Sequence, residues 1–286
     1  MKHQNCWCGS GLPYSDCHET VEKELNALRL RGKKVPNKRL IKNAAQIEGI
    51  REAGRINSLI LDKVEEQIAV GMTTQDIDDI VHQYTLELGG IPGPLNYEGF
   101  PKSVCTSVND QICHGIPSKK VILQEGDIVN VDCTTIYKGY YGDASRMFTF
   151  GKISDQAEKL IRVTKEAVEL AEQHLKPYCH LGDIGYYINT YVRQNGFTVV
   201  REIGGHGVGL KMHEDPYVCH IGQLNKGMVL APGMVFTIEP MVNEGVSNFY
   251  VDEEDGWQVY TADGLLSAQI EHMILMTETG FEILSK

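Results

Sequence analysis

The hydrophobic positions of the chain follow helical spacing in some segments and strand spacing in others. Apolar residues that recur every three or four positions predict helices over about 21–28, 45–69, 74–88, 154–177 and 183–195. Alternating or β-branched stretches predict strands at 104–108, 128–135, 141–150, 235–239 and 267–276. Because the helices alternate with hairpins rather than with single strands, the pattern favours an α+β fold over a doubly wound parallel sheet.

One sequence pattern occurs twice. Gly126 precedes an apolar stretch that ends at Asp132, and Gly233 precedes one that ends at Glu239, so a carboxylate follows each glycine by six residues. This faint repeat fits a domain built from two similar lobes.

Charge is unevenly distributed along the 286 residues, whose net charge is −11. Residues 1–43 carry nine Lys/Arg against four Asp/Glu, which gives +5 and leaves −16 for the remainder. The acidic total argues against a nucleic-acid coat protein. Since no apolar leader or membrane-length stretch is visible and the eight cysteines are mostly scattered, we expect a cytoplasmic protein.

The N-terminal residues concentrate soft metal ligands. Cys6, Cys8, Cys17 and His18 supply the four donors of a tetrahedral zinc site, in a segment too short to form a core. Residues 29–42 then hold seven basic side chains and no acidic one. This stretch is either a solvated linker or a basic arm for RNA or another anionic surface. We expect a domain boundary near residue 43, which separates residues 1–43 from a domain over 44–286.

Asp132 and Asp143 are predicted to share one face of a hairpin. A tight turn around Lys138-Gly139 makes residues of opposite parity neighbours, so the two carboxylates are opposed or diagonal, about 4.5 to 8 Å apart at Cβ. Two ionised carboxylates that close repel each other unless a proton or a cation lies between them.

Three further candidate ligands follow: His206, Glu239 and Glu271. His206 lies in a glycine-rich stretch, and the two glutamates fall in apolar strands, where a carboxylate is costly unless paired. A buried salt bridge is the commoner explanation for any one of them. Together with the two aspartates, they form the oxygen-rich set expected of a dinuclear hydrolase.

These five residues, with His-Gly-Ile-Pro at 114–117 and Gly-His-Gly-Val-Gly…His-Glu-Asp-Pro at 205–216, resemble the methionine aminopeptidases over nearly all of 44–286. Only 26 positions separate His213 from Glu239. This is too few for the long helical insertion of the type II enzymes, so the chain resembles type I. The resemblance implies the two-lobed "pita-bread" α+β fold. The N-terminal cysteine cluster resembles the SEC-C zinc motif.

The resemblance also implies roles for single residues. Asp143 and Glu271 would bridge two divalent metals, Asp132 would complete one site, and His206 with Glu239 would complete the other. Glu239 would act as general base, and His213 and His114 would hydrogen-bond the scissile peptide. The implied metal is Co, Mn, Fe, Zn or Ni.

A slot for methionine is implied at Tyr97, Cys105, Met212 and Trp257; Met212 stands where the family often has an aromatic residue. Asn109 and Ser267 lie where the family can hold a monovalent cation. The implied activity is removal of the initiator methionine from nascent proteins, with a small second residue preferred. We expect a monomer with no membrane contact. Our hypothesis for the N-terminal motif and basic arm is that they recruit the protein to the ribosome or to a nascent-chain factor.

Two alternatives remain. A proline-directed peptidase of the same fold, similar to prolidase, would share the metal ligands, but such enzymes usually carry a sizeable extra N-terminal domain. A non-catalytic binding protein on the same scaffold is the other. Such proteins lose metal ligands, and this chain has all five.

Overall fold

Five α-helices lie in the part of the chain that the computed structural model describes, residues 5–286. Residues 1–4, which are part of the basis for expecting no leader, lie outside it. The helices are α1 (Glu19–Leu30), α2 (Ala44–Gln67), α3 (Thr74–Glu87), α4 (Asp155–Gln173) and α5 (Leu181–Gln194). All five were expected from the hydrophobic spacing. Short 3-10 helices span Tyr14–Asp16, Lys38–Leu40 and Tyr97–Gly99.

Side-chain caps set where three of these helices begin. Asn43 and Thr73 each accept a hydrogen bond from the backbone amide three residues ahead, and each forms a capping box, at the start of α2 and α3 respectively. Ser154 caps α4 in the same way, without the reciprocal bond.

The described residues form fifteen strands in four sheets. The strands are β1 (Ile91–Pro92), β2 (Cys105–Val108), β3 (Gln111–Cys113), β4 (Ile128–Tyr137), β5 (Tyr140–Thr149), β6 (Thr198–Val199), β7 (Gly205–Gly207), β8 (Glu214–Val218), β9 (Val235–Ile238), β10 (Met241–Asn243), β11 (Phe249–Val251), β12 (Val259–Thr261), β13 (Ser267–Gln269), β14 (His272–Met276) and β15 (Phe281–Ser285).

Two of the sheets carry the candidate site. In one, β4 pairs with β5 along one edge and with β1 and β2 along the other; the second has the order β15-β14-β9-β7-β8. The smaller sheets have the orders β13-β10-β6 and β11-β12-β3. The pairings between these strands are antiparallel, which confirms the α+β expectation.

The predicted strand over 267–276 is wrong in one respect. It is two strands that pair with different neighbours, β13 with β10 and β14 with β9. Glu271 lies in the gap between them rather than inside a strand, and only an isolated bridge to Ser145 holds its backbone. Hydrophobicity alone could not show this, because both strands are buried and no turn residue separates them in the sequence.

The two lobes have separate cores. One, beneath α2 and α3, includes Leu61, Val81 and Val131; the other, beneath α4 and α5, includes Leu160 and Ile188. The close approach of α2 to β5 requires a glycine, since a Cβ on Gly142 would lie 2.4 Å from the carbonyl oxygen of Ala53.

Residues 1–43 do not form a free linker where the structure describes them. Val21 and Leu25 of α1 join the core beneath α4 and α5, and residues 40–43 are buried. The interpretation of 29–42 as a wholly solvated stretch is therefore wrong at its C-terminal end. The boundary at residue 43 stays a prediction. No helix among the described residues is long and apolar enough to cross a membrane.

Candidate metal centre and active site

The β4–β5 hairpin brings two candidate ligands together. Both residues of the Lys138-Gly139 turn have positive φ, as two-residue hairpin turns of the I′ type require. The resulting register pairs Asp132 with Ser145 and Thr134 with Asp143. Asp132 and Asp143 are therefore diagonal neighbours on one face, which confirms the relation predicted from their parity.

The other three candidates come from the second lobe. His206 lies on β7, Glu239 directly follows β9, and Glu271 directly precedes β14. Because β7 pairs with β9 and β9 with β14, these three side chains emerge from neighbouring positions of one sheet. The amide of Glu271 donates to the carbonyl of Ser145 (3.2 Å), and this bond joins the two lobes beside Asp143.

Metal-ligating atoms of Asp143, His206 and Glu271 all lie within 4.8 Å of one another. His206 Nε2 lies 3.4 Å from Glu239 Oε1 and 3.9 Å from Asp143 Oδ2. Asp132 lines the same cavity as the other four residues but is not part of the tight three-residue group. The structure therefore gathers all five predicted ligands around one cavity.

Burial dominates the electrostatics of this cluster. Desolvation raises the pKa of Asp132 to about 7. The pKa values of Asp143, Glu239 and Glu271 are raised well above their usual range, first by burial and then by repulsion from the neighbouring carboxylates. Burial lowers the pKa of His206 to about 4, so its imidazole is neutral and available as a ligand.

The residues fit divalent metal ions. Among the described residues, no Lys or Arg lies within ion-pair distance of any of the four carboxylates. Buried charges of one sign without a counter-charge are unfavourable unless protons or cations compensate them. Four carboxylates with one neutral imidazole are the donor set of hard or borderline cations.

Glu239 is oriented by three residues that sequence reasoning missed. Its Oε1 accepts a hydrogen bond from Thr237 Oγ1 (2.7 Å) and its Oε2 accepts one from Gln269 Nε2 (3.0 Å). Its own amide donates to Nε2 of the fully buried His220 (3.1 Å). Thr237 could have been found, because residues two apart on a strand share a face; Gln269 and His220 gave no local signal.

A cavity of about 360 Å³ opens beside the carboxylates. All four residues predicted for the methionine slot line it, Tyr97, Cys105, Met212 and Trp257, together with His114 and His213. Met212 is 6% exposed, so an unbranched side chain fills this wall. The sequence did not identify Phe100 or Met241, which also line the cavity; Phe100 packs edge-on against Trp257.

Two histidines at this cavity are held in defined positions. His213 Nδ1 lies 2.8 Å from the hydroxyl of Tyr97, and its ring packs against that of His206. His114 has a left-handed backbone (φ 55°) and meets Trp257 edge-on. Burial lowers the pKa of both imidazoles, which favours their neutral forms.

The four N-terminal ligands form a second cluster, again within 4.8 Å of one another. His18 Nδ1 lies 3.2 Å from Cys6 Sγ and 3.1 Å from Cys17 Sγ, while Cys8 and Cys17 have their sulfurs 3.6 Å apart without a disulfide. A tetrahedral zinc with Zn–S bonds of about 2.3 Å needs ligand separations of roughly 3.8 Å. The cluster fits that ion.

Asn109 and Ser267, predicted to hold a monovalent cation, lie side by side. The amide of Ser267 donates to the carbonyl of Asn109 (2.9 Å), and Ser267 Oγ donates to Asn243 Oδ1 (2.9 Å). Cation binding there stays a prediction.

Comparison with known proteins identifies the family. The model of metallopeptidase family M24 matches residues 48–278, and that of the SEC-C motif matches residues 4–20. Methionine aminopeptidase A of Synechocystis is 48% identical over 84% of this chain and 94% of its own. The methionine aminopeptidase of Chlamydia trachomatis is 40% identical over 99% and 98%. This chain belongs to metallopeptidase family M24 and to its methionine aminopeptidases.

Solved structures agree with this membership. Methionine aminopeptidase from Rickettsia prowazekii superimposes with a TM-score of 0.84 at 41% identity and covers 86% of this chain and 99% of its own. The prolidase from Pyrococcus horikoshii, at 24% identity and a TM-score of 0.68, shares the fold. The family fold is thus the pita-bread α+β fold, preceded here by a SEC-C motif. Membership in a metallopeptidase family implies divalent metal ions.

The buried carboxylates predict how metal changes stability with pH. A carboxyl group whose pKa is higher in the folded chain stabilises it below the unfolded pKa of about 4, and this contribution is lost as pH rises. For Asp132 the loss extends to about pH 7. Metal-free protein should therefore lose stability over this range, and Mn²⁺ should raise the melting temperature more at pH 8 than at pH 5.

The measurement is thermal unfolding of chelator-treated protein with and without Mn²⁺ at both pH values. The double variant Asp143→Asn/Glu271→Gln, which removes two charges from the cluster, is the control and should show a much smaller metal response. An equal Mn²⁺ effect at pH 5 and pH 8 in the wild type would contradict the electrostatic account.

Proposed function

We propose that this protein removes the N-terminal methionine from peptides and nascent proteins whose second residue is small. The observation that carries the proposal is the position of the carboxylate–imidazole cluster in a cavity of about 360 Å³ whose wall beside the cluster includes Cys105, Met212 and Trp257. The relatives that are named methionine aminopeptidases support the same activity.

We propose that Asp132, Asp143, His206, Glu239 and Glu271 hold two divalent ions, with Co, Mn, Fe, Zn and Ni as the candidates. When bound, such ions supply Lewis acidity and lower the pKa of water. The chain itself arranges the donors: two on the β4–β5 hairpin, and three at neighbouring positions of the second sheet.

Glu239 is proposed to move the protons of the reaction. A carboxylate with a raised pKa can take up a proton from water and return it to the leaving amine. The hydrogen bonds from Thr237 and Gln269 fix both of its oxygens, so the group needs little reorganisation between the two transfers.

His213 is proposed to stabilise the negative charge that develops on the scissile carbonyl oxygen. When the Tyr97 hydroxyl donates to Nδ1, the neutral ring carries its proton on Nε2, which is then free to donate to that oxygen. His114, held against Trp257, is proposed to hydrogen-bond the same peptide group.

The slot is proposed to accept an unbranched thioether between Tyr97, Cys105, Met212 and Trp257. Such an apolar slot discriminates by about 1 to 3 kcal/mol per methylene. Bulky second residues must therefore be excluded by the cavity wall near His114 and Trp257.

We further propose a cytoplasmic monomer in which the SEC-C motif holds zinc and the basic stretch contacts the ribosome. The free cysteines among the described residues support a reducing compartment. Four cations that face solvent remain for an anionic partner: Arg29, Arg31, Lys33 and Lys34.

Substrate choice tests the proposed activity. Release of the first residue should be faster from Met-Ala-Ser than from Ala-Pro-Ala by at least about tenfold, because the proposed slot presents apolar side chains to a methionine thioether. The measurement is kcat/KM for each tripeptide by amino-acid release, with Met-Leu-Ser as a bulky-second-residue control. A preference for Ala-Pro-Ala would instead assign a proline-directed peptidase.

Replacement of Glu239 tests its role in proton transfer. Glu239→Gln keeps the size and hydrogen-bonding capacity of the side chain but removes its basicity, so kcat should fall by roughly 10² to 10⁴. Rates and metal content are measured together, with Glu253→Gln on the exposed surface as the control. Wild-type activity in the Glu239 variant would contradict the assignment.

The ribosome proposal is tested by neutralising the four solvent-facing cations to glutamine. Since counterion release dominates binding to RNA, co-sedimentation with ribosomes should fall roughly tenfold or more. The control changes charge equally at four exposed lysines elsewhere: Lys119, Lys120, Lys152 and Lys226. Equal co-sedimentation of the two variants would remove the basis for the proposed contact.

A further inference from the structure

A buried ion pair connects the N-terminal segment to the stretch that carries His213. Lys42 Nζ lies 2.6 Å from Glu214 Oε2, and the two side chains are only 2% and 12% exposed. The partners are 172 residues apart in sequence. Glu214 directly follows His213, so this pair lies one residue from a group proposed to bind substrate.

The other oxygen of Glu214 organises the backbone before His213. Glu214 Oε1 accepts hydrogen bonds from the amides of Leu210 (2.7 Å) and Lys211 (3.1 Å). One carboxylate therefore fixes both ends of residues 210–214, here called the His213 segment. Charge-assisted bonds of this kind are stronger and more directional than neutral ones.

Lys42 is held in place by contacts with the N-terminal Cys/His cluster and with the second lobe. Its amide donates to the carbonyl of Gly233, at the start of the chain that leads to Glu239. The next residue, Asn43, donates from Nδ2 to the carbonyl of Cys8 (3.1 Å).

We propose that Lys42 is a positioning residue for catalysis, which holds the His213 segment through Glu214 and is itself held by the N-terminal Cys/His cluster. The N-terminal segment then has a role in the reaction that is separate from any partner. This inference rests on the proposed function of His213.

A neighbouring ion pair provides a matched control. Arg39 Nη2 lies 2.5 Å from Asp215 Oδ2, but the two side chains are 70% and 63% exposed. Exposed pairs contribute little, because water and salt screen them. Arg39→Gln thus removes one linker cation from the same region without disturbing a buried charge.

The test compares Lys42→Met, Lys42→Met/Glu214→Gln and Arg39→Gln in the full-length, metal-loaded protein. Methionine matches the lysine stem in length but leaves the Glu214 charge buried and unpaired. For Lys42→Met we expect kcat on Met-Ala-Ser to fall about tenfold with KM within about twofold, because small displacements of a catalytic group are costly. We also expect faster hydrogen exchange at the amides of residues 210 and 211.

The double variant separates positioning from stability. Glutamine removes the unpaired charge, so the melting temperature should recover, whereas kcat should stay low because the His213 segment is no longer tied to Lys42. Recovery of both quantities would show a purely structural role and overturn the proposal, as would Lys42→Met behaving like Arg39→Gln. A wild type that releases no methionine would refute the proposed function alone, since the exchange measurement still tests the tether.

Discussion

The main physical constraint on the site is that four carboxylates lie close together in one buried cavity. Each is costly to bury, and the charge of Asp132 makes the other three harder to ionise. A fold keeps such a group together only when its backbone is fixed by interactions elsewhere. Here the hairpin register of one lobe and the strand order of the other fix the donors. The bond between Glu271 and Ser145 joins the two sets, so the free energy of the surrounding sheets offsets the electrostatic cost.

Local sequence rules predicted the first half of this site. The parity of Asp132 and Asp143 and the tight Lys138-Gly139 turn are properties of the twelve consecutive residues 132–143, so the hairpin could be derived without knowledge of the rest. The repeated pattern of a glycine before an apolar strand also marked two of the strands that lead to carboxylates of the site. Gly126 and Gly233 both have positive φ, and each stands two residues before a strand that leads to a carboxylate.

The features that could not be predicted depend on partners distant in sequence. Glu271 was assigned to the middle of one strand, because hydrophobicity cannot show that the strands on either side of it pair with different neighbours. Gln269 and His220 support Glu239 only through the fold, and their own sequence surroundings are ordinary. A pattern detects which residues are buried, whereas the orientation of a buried carboxylate is set by contacts that form only when the sheets assemble.

Contacts between residues distant in sequence also change the interpretation of the basic stretch over residues 29–42. The basic stretch was considered as a linker or as an arm for RNA, and both views treat its cations as free. Three of the seven instead face carboxylates of this chain: Lys38 pairs with Glu22, Arg39 with Asp215, and Lys42 with Glu214. Two of these pairs, Arg39 with Asp215 and Lys42 with Glu214, join residues 1–43 to the acidic remainder, so the +5 of the first part partly complements the −16 of the rest. The buried pair of Lys42 and Glu214 lies one residue from His213, so part of the charge asymmetry is accounted for by contacts within this chain.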